Sequence, residues 1–126
     1  MTKEYINDDT FTITRFRDGD TLEGFFTCSH CRVSHSECLR LPDIDSWEPA
    51  GNELARARRV AEQLTETYRG ISGRFLGSAR KRDKYNRLIG DILIGDFSLQ
   101  QLIVNANLAW FGVGKPPPNG FPVTML

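Results

Sequence analysis

The sequence has few cysteines, no long apolar run and no net charge. Only three of its 126 residues are cysteines, so they cannot all pair within the chain, which favours a reducing compartment or a metal site. The opening residues MTKEYINDD contain no apolar stretch, and no later segment has the length and hydrophobicity of a membrane span. We therefore expect a cytoplasmic protein that does not contact membranes, with secretion as the alternative.

The net charge of zero does not by itself indicate a nucleic-acid-binding protein, but the charges are unevenly distributed. Residues 1–50 contain five basic and ten acidic side chains, whereas residues 51–126 contain eleven basic and six acidic ones. A folded chain with this distribution can place an acidic pocket beside a basic rim, which suits a cation and a phosphate. The length and the 40% apolar content predict a single domain over residues 1–126, and we expect a monomer.

Local patterns predict five strands and two helices. Alternating or β-branched segments predict strands at 10–17, 20–27, 38–44, 71–82 and 88–95. Helical spacing of apolar residues predicts helices at 52–68 and 98–107, with Asn52 and Ser98 as N-caps and Gly70 at the first helix's end. The tail at 112–126 is rich in proline and is predicted to be extended.

The resulting order is β-β-β-α-β-β-α. It predicts an α+β, mainly β fold of the OB type, a five-stranded barrel with a helix inserted after the third strand. Barrels of this type often bind oligonucleotides, but the fold alone does not give the function.

Several charged residues have the chemistry that phosphodiester hydrolysis requires. Asp20 and Asp45 are carboxylates suited to Ca²⁺ or Mg²⁺, and Glu48 follows closely enough to act as a general base on water. Arg40 and Arg87 provide planar, permanently charged groups that match phosphate oxygens. Each residue also has an ordinary structural interpretation: Asp20 as a turn residue, Arg40 as a surface residue, and Arg87 as a partner of Asp83.

Four segments combine these residues in a characteristic order: Asp18-Gly19-Asp20-Thr21, residues 40–48 (RLPDIDSWE), residues 51–55 (GNELA) and residues 83–88 (DKYNRL). In order and spacing they resemble the staphylococcal nuclease (thermonuclease) family, from about residue 10 to residue 115. The resemblance implies a Ca²⁺-dependent hydrolase that cleaves DNA or RNA and leaves 3′-phosphate ends. The alternative is a non-catalytic binding module for nucleic acid or protein on the same fold.

The resemblance also assigns roles to individual residues. It implies that Asp20, Asp45 and the backbone carbonyl of Ser46 bind one Ca²⁺ ion, and that Glu48 activates the attacking water. Arg40 and Arg87 would hold the phosphate and stabilise the transition state. Lys84 and Tyr85 match positions that contact a terminal phosphate of a bound nucleotide.

The sequence departs from the family at residues 28–38, a hairpin insertion rich in cysteine and histidine. Cys28, Cys31, His35 and Cys38 follow a C-x₂-C-x₃-H-x₂-C pattern, which suits a structural Zn²⁺ site. His30 is an alternative fourth ligand. Free thiols, an oxidised cysteine pair and a contact surface for a protein partner are the other interpretations.

A second departure is Trp47, which stands where most family members have proline. Packing against the barrel is the preferred interpretation, with stacking on a nucleic-acid base as the alternative. Trp110 and Phe111 are further candidates for base stacking that also suit a core.

Overall fold

The computed structural model describes residues 8–117, and for Ala79 only the backbone. Eight strands and two helices lie in this part of the chain. The strands are β1 (Thr10–Phe16), β2 (Thr21–Thr27), β3 (Ser34–Arg40), β4 (Ile44–Asp45), β5 (Ser72–Arg82), β6 (Leu88–Ile94), β7 (Phe97–Ser98) and β8 (Trp110–Phe111). The helices are α1 (Leu54–Tyr68), preceded by a 3-10 turn at Gly51–Glu53, and α2 (Leu99–Asn105).

The five long strands form a closed barrel. Antiparallel pairs join β1 to β2, β2 to β3, β1 to β5 and β5 to β6. A short parallel pairing of β3 with β6, with Leu39 opposite Leu88 and Arg40 opposite Ile89, closes the barrel. The predicted mainly β fold of the OB type, with two helices, is therefore confirmed.

Alternation along the strands fills the barrel with apolar side chains. Phe11 and Ile13 of β1 are fully buried, and the rings of Phe26 and Phe75 meet edge to face with centroids 5.3 Å apart. The helix α1 covers one side of the barrel with Ala57, Val60, Ala61 and Leu64. A hydrogen bond of 2.8 Å from the Phe16 backbone N–H to the Thr65 hydroxyl joins β1 to α1.

The local signals for turns and helix ends were mostly correct. The Ser98 hydroxyl caps α2 by accepting a hydrogen bond from the Gln101 N–H, and Gly70 follows α1 with a φ of 83°. Asn86 occupies a left-handed turn position, with a φ of 65°, which its short polar side chain favours. The Asn52 cap was wrong: α1 follows a 3-10 turn, and its N-cap position is Glu53, without a side-chain capping bond.

The third strand lies earlier in the sequence than the hydrophobic pattern indicated. Strand β3 begins at Ser34 and ends at Arg40, so it includes the second half of the cysteine- and histidine-rich insertion at 28–38, whereas the predicted strand was 38–44. Its first residues are exposed, and unbroken backbone pairing with β2, from Thr27↔Ser34 to Thr21↔Arg40, holds them in place. The chain leaves the barrel near Pro42, which has no N–H to donate.

After the barrel, β4 pairs with β8 in a separate two-stranded sheet. Residues 112–117 contain no helix or strand, and the rest of the predicted extended tail, 118–126, lies outside the described residues. Neither helix in the described chain is long and apolar enough to span a membrane.

Candidate active site

The Asp18-Gly19-Asp20 turn between β1 and β2 places a carboxylate inside the protein. Asp20 is only 7% exposed, and its Oδ1 accepts a hydrogen bond of 2.9 Å from the Thr21 hydroxyl. The Asp18 carboxylate accepts a bond of 3.0 Å from the Asp20 N–H, which folds the turn back on itself. Two acidic side chains therefore lie close together at the start of β2.

This arrangement disfavours a negative charge on Asp20. Burial is the main cause, and the neighbouring Asp18 carboxylate adds to it, so that the pKa of Asp20 is raised to about 8. Arg40 lowers the pKa only in part, because its Nη2 lies 3.8 Å from the nearest Asp20 oxygen. The protein thus supplies less positive charge at Asp20 than an ionised carboxylate requires.

Arg40 connects the acidic turn to the segment that leaves the barrel. Its Nη1 donates to the carbonyl of Leu41, to that of Ile44 at 3.1 Å and, more weakly, to that of Asp20 at 3.5 Å. The Leu41 N–H donates to the same Asp20 carbonyl at 2.9 Å. The Arg40 side chain is 17% exposed, so it forms part of the wall of the site.

Gly19 lets the acidic turn approach residues 44–46 closely. A Cβ atom on Gly19 would lie 2.6 Å from the Ser46 Cβ and 2.8 Å from the Leu108 carbonyl oxygen, closer than real contacts allow. The Ser46 hydroxyl donates to that Leu108 carbonyl at 2.9 Å, which fixes it there. The fold therefore brings together the predicted Ca²⁺-binding segments around Asp20 and Ser46.

Asp45 lies in the same segment and is held by two backbone N–H groups. Its Oδ1 accepts from Ser46 and its Oδ2 from Gly114, each at 2.9 Å. Each carboxylate oxygen can accept more than one such interaction, so these bonds orient Asp45 and leave it able to bind a cation. Within residues 8–117, no three His, Cys, Asp or Glu side chains are grouped as a metal site.

The turn between β5 and β6 supplies the second arginine. The Asp83 carboxylate accepts bonds from the backbone N–H groups of Tyr85 and Arg87, both at 2.9 Å, and from the Arg87 Nε at 2.7 Å. Burial acts to raise the pKa of Asp83, but the hydrogen bonds from Arg87 and Tyr85 outweigh it, and the pKa is lowered. The ion pair between Asp83 and Arg87, one of the alternatives for Arg87, is therefore present.

That ion pair uses only one edge of the Arg87 guanidinium. The Nη1 lies 3.5 Å from the Thr21 hydroxyl, which in turn donates to Asp20. Because β3 and β6 run side by side, Arg40 at the end of β3 lies near Arg87, which immediately precedes β6. The structure thus links Asp20, Thr21 and the two arginines in one continuous polar cluster.

Lys84 and Tyr85 lie on the exposed tip of the same turn. Tyr85 is 67% exposed, and the Lys84 Nζ and the Arg87 guanidinium carbon each lie 5.2 Å from its ring centroid. The two cations and the tyrosine ring together form an exposed surface, which suits a ligand that carries both a negative charge and a flat ring.

Glu48 is the predicted site residue whose position is least constrained. It is exposed, and its backbone N–H donates to the Glu53 carboxylate at 2.7 Å. No hydrogen bond or ion pair joins its own carboxylate to another residue of the described chain. The structure therefore places Glu48 three residues beyond Asp45 without tying its side chain to the polar cluster.

The neighbouring Trp47 packs inside the protein, which was the preferred interpretation of this residue. It is 4% exposed and meets Trp110 edge to face, with ring centroids 5.2 Å apart, and the Arg56 guanidinium lies 4.9 Å from its ring centroid. Trp110 is equally buried, whereas Phe111 is 47% exposed. Of the three candidates for base stacking, only Phe111 presents a large surface to solvent.

The cysteine- and histidine-rich segment does not bring its four predicted zinc ligands to one point. Cys28 and Cys31 meet in the turn after β2, where the Cys31 N–H lies 3.4 Å from the Cys28 Sγ. His35 contacts Glu37 at 2.8 Å and the Phe26 ring. Cys38 is three residues further along β3 and therefore faces the opposite side of the sheet. His30, the alternative ligand, is exposed in the turn.

A groove of about 900 Å³ runs along the junction of α1 and β1, and its lining includes Arg17 and Pro49, which adjoin Asp18 and Glu48 in the sequence. Along α1 and the Arg69 that follows it, Glu62 and Glu66 stand between Arg58 and Arg69. On the opposite wall, Arg15 and Arg17 both pair with Glu23, so the groove does not form a continuous basic track.

Thr21 was not singled out from the sequence, and Asp83 was considered only as a partner of Arg87. Thr21 joins Asp20 to Arg87, and Asp83 orients the turn that carries Arg87. Both belong to the quoted segments, but their roles depend on contacts between distant parts of the chain. The chain matches no protein-family model, and no curated protein matches it significantly.

Proposed function

We propose that the protein is a Ca²⁺-dependent nuclease that hydrolyses phosphodiester bonds of DNA or RNA and leaves 3′-phosphate ends. The observation that carries the proposal is the polar cluster in which Arg40 lies beside the buried carboxylate of Asp20 and Arg87 is linked to it through the Thr21 hydroxyl. Two guanidinium groups beside an acidic pocket suit a phosphate that is bound together with a cation. The order of the four segments in the sequence supports the same assignment.

The donor chemistry at the acidic turn fits Ca²⁺. Asp20, Asp45 and the carbonyl of Ser46 offer only hard oxygen atoms, which this ion prefers. The raised pKa of Asp20 supports the fit, because its cause is a buried negative charge that the protein itself does not neutralise. When bound, Ca²⁺ supplies positive charge to the phosphate and to the attacking water.

The remaining chemistry belongs to the chain itself. Arg40 and Arg87 bind the phosphate oxygens and stabilise the charge that develops on them during hydrolysis. Glu48 takes a proton from the attacking water, a role that its exposed position allows once substrate covers the site. Lys84 and Tyr85 contact a terminal phosphate at the rim.

The test is digestion of single-stranded DNA and of RNA by the purified protein, with Ca²⁺ or with EDTA. We expect cleavage only with Ca²⁺, products with 3′-phosphate ends, and loss of cleavage in Glu48→Gln. The matched control is Asp96→Asn, which makes the same change from carboxylate to amide at an exposed position. Intact substrates under all conditions, or equal cleavage by Glu48→Gln and the unmodified protein, would overturn the proposal.

A second candidate is a module that binds nucleic acid without cleaving it. It is favoured by the absence of a contact that positions the Glu48 carboxylate within residues 8–117. Binding to oligonucleotides that weakens with salt, with no cleavage in Ca²⁺, would support this function.

We place either activity in the cytoplasm, because none of the three cysteines is in a disulfide.

A further inference from the structure

The turn between β2 and β3 holds two cysteines in contact. The Arg32 N–H donates to the Cys28 carbonyl at 2.9 Å, which closes a single helical turn over residues 28–32. Side chains three residues apart on such a turn have Cβ atoms about 5–6 Å apart, so their thiols can meet. The Cys28 N–H donates to the Val33 carbonyl at 3.0 Å and anchors the turn to the start of β3.

The turn also distinguishes the two thiols from each other. The Cys28 Sγ accepts a hydrogen bond of 3.4 Å from the Cys31 N–H, whereas Cys31 is exposed. Hydrogen bonds from the Cys31 thiol and from the backbone N–H groups of Cys31 and His30 lower the pKa of Cys28. Burial and, to a smaller extent, the Asp9 carboxylate oppose this lowering of the pKa, and that carboxylate also accepts hydrogen bonds from the backbone N–H and the hydroxyl of Ser29.

Cys38 lacks these features. It lies on β3, is partly buried, and has a pKa that burial raises. The chain therefore contains one vicinal thiol pair and one isolated thiol of lower reactivity. Because zinc would need two further ligands, which His35 and Cys38 do not provide together, the pair is better suited to redox chemistry.

We propose that Cys28 and Cys31 form a redox-active dithiol that undergoes exchange with small disulfides such as glutathione disulfide. The Cys28 thiolate attacks one sulfur of glutathione disulfide, forms a mixed disulfide and releases one glutathione thiolate. Cys31 loses its proton to solvent and attacks the Cys28 sulfur, which releases the second glutathione. The protein loses two electrons and two protons, and glutathione disulfide is reduced to two glutathione molecules.

The experiment incubates the reduced, full-length protein, freed of metal with EDTA, in buffers of graded glutathione and glutathione disulfide. Acid quenching, alkylation of free thiols and peptide mass spectrometry then locate each modification. We expect an internal disulfide between Cys28 and Cys31, while Cys38 remains free and is alkylated. The product should be unchanged in Cys38→Ser, which serves as the control.

Two further variants identify the attacking thiol. In Cys31→Ser, the reaction should stop at a stable glutathione adduct on Cys28. In Cys28→Ser, the internal disulfide is lost, and any adduct on Cys31 should form more slowly than the adduct on Cys28 in Cys31→Ser. The proposal would be overturned if the unmodified protein formed no internal disulfide or reacted first at Cys38. It would also be overturned if the Cys31 adduct in Cys28→Ser formed as fast as the Cys28 adduct in Cys31→Ser. So would one equivalent of zinc, in protein purified without chelator, that protects the thiols from glutathione disulfide.

Discussion

Replacing Asp20 with asparagine should make the free energy of unfolding less dependent on pH. In the folded protein the pKa of Asp20 is about 8, against an ordinary value of 3.8. Between these values the folded state keeps a proton that the unfolded state has lost, so the free energy of unfolding falls as pH rises. The slope for one such group is about 1.4 kcal/mol per pH unit, which gives a loss of about 3 kcal/mol between pH 5 and pH 7.

The measurement is urea unfolding at pH 5, 6 and 7 in EDTA, followed by the fluorescence of the buried Trp47 and Trp110. We expect the unmodified protein to lose stability over this range and Asp20→Asn to lose about 3 kcal/mol less, because an amide does not titrate. Glu23, Glu37 and Asp83, whose pKa values are lowered, titrate below this range. Asp96→Asn, a change at an exposed carboxylate, should behave like the unmodified protein.

Addition of Ca²⁺ gives a second comparison. An ion that binds the ionised carboxylate stabilises the folded protein more at pH 7 than at pH 5, so the pH dependence should flatten. Asp20→Asn should lose most of this stabilisation. If Asp20→Asn and the unmodified protein have the same pH dependence in EDTA, Asp20 is not the buried, uncompensated carboxylate described above.

Three other changes test separate parts of the structure. Gly19→Ala should lower the free energy of unfolding by about 1–3 kcal/mol in urea, because its Cβ would overlap Ser46; an unchanged midpoint would contradict this packing. Arg87→Lys should reduce kcat for nucleic-acid cleavage on the order of 10²-fold through loss of a transition-state donor, and unchanged kcat would exclude that role. The ion pair with Arg82 lowers the pKa of Glu37, so the stability that it contributes is lost as pH falls below the ordinary pKa of a glutamate. In urea unfolding, Glu37→Gln should therefore lower the free energy of unfolding by less than about 1 kcal/mol at pH 7 and leave it unchanged in strong acid.

Much of the fold was predictable because its signals are local. Alternating apolar residues gave β1, β2, β5 and β6, and helical spacing gave α1. Ser98 and Asn86 adopt the capping and turn positions that their short polar side chains favour. The order of these elements was sufficient to predict the barrel.

The beginning of β3 was not predictable in this way. Residues 34–37 are polar or exposed, so they lack the apolar alternation that marks a half-buried strand. Their strand conformation comes from hydrogen bonds to β2, which depend on the partner backbone and not on the side chains. The separation of His35 from Cys38 has a related cause, since an extended strand carries the two residues to opposite faces.

By itself, the sequence determined the residue types available for chemistry: carboxylates and arginines in an order that resembles one nuclease family, and a pair of cysteines separated by two residues. Only the tertiary structure decided which of them meet. Closure of the barrel sets Arg40 beside the turn that carries Arg87, and the absence of a side chain at Gly19 lets the Asp18–Asp20 turn approach Ser46. These contacts join residues far apart in the sequence, and the packing of the whole barrel fixes them, so no local pattern records them.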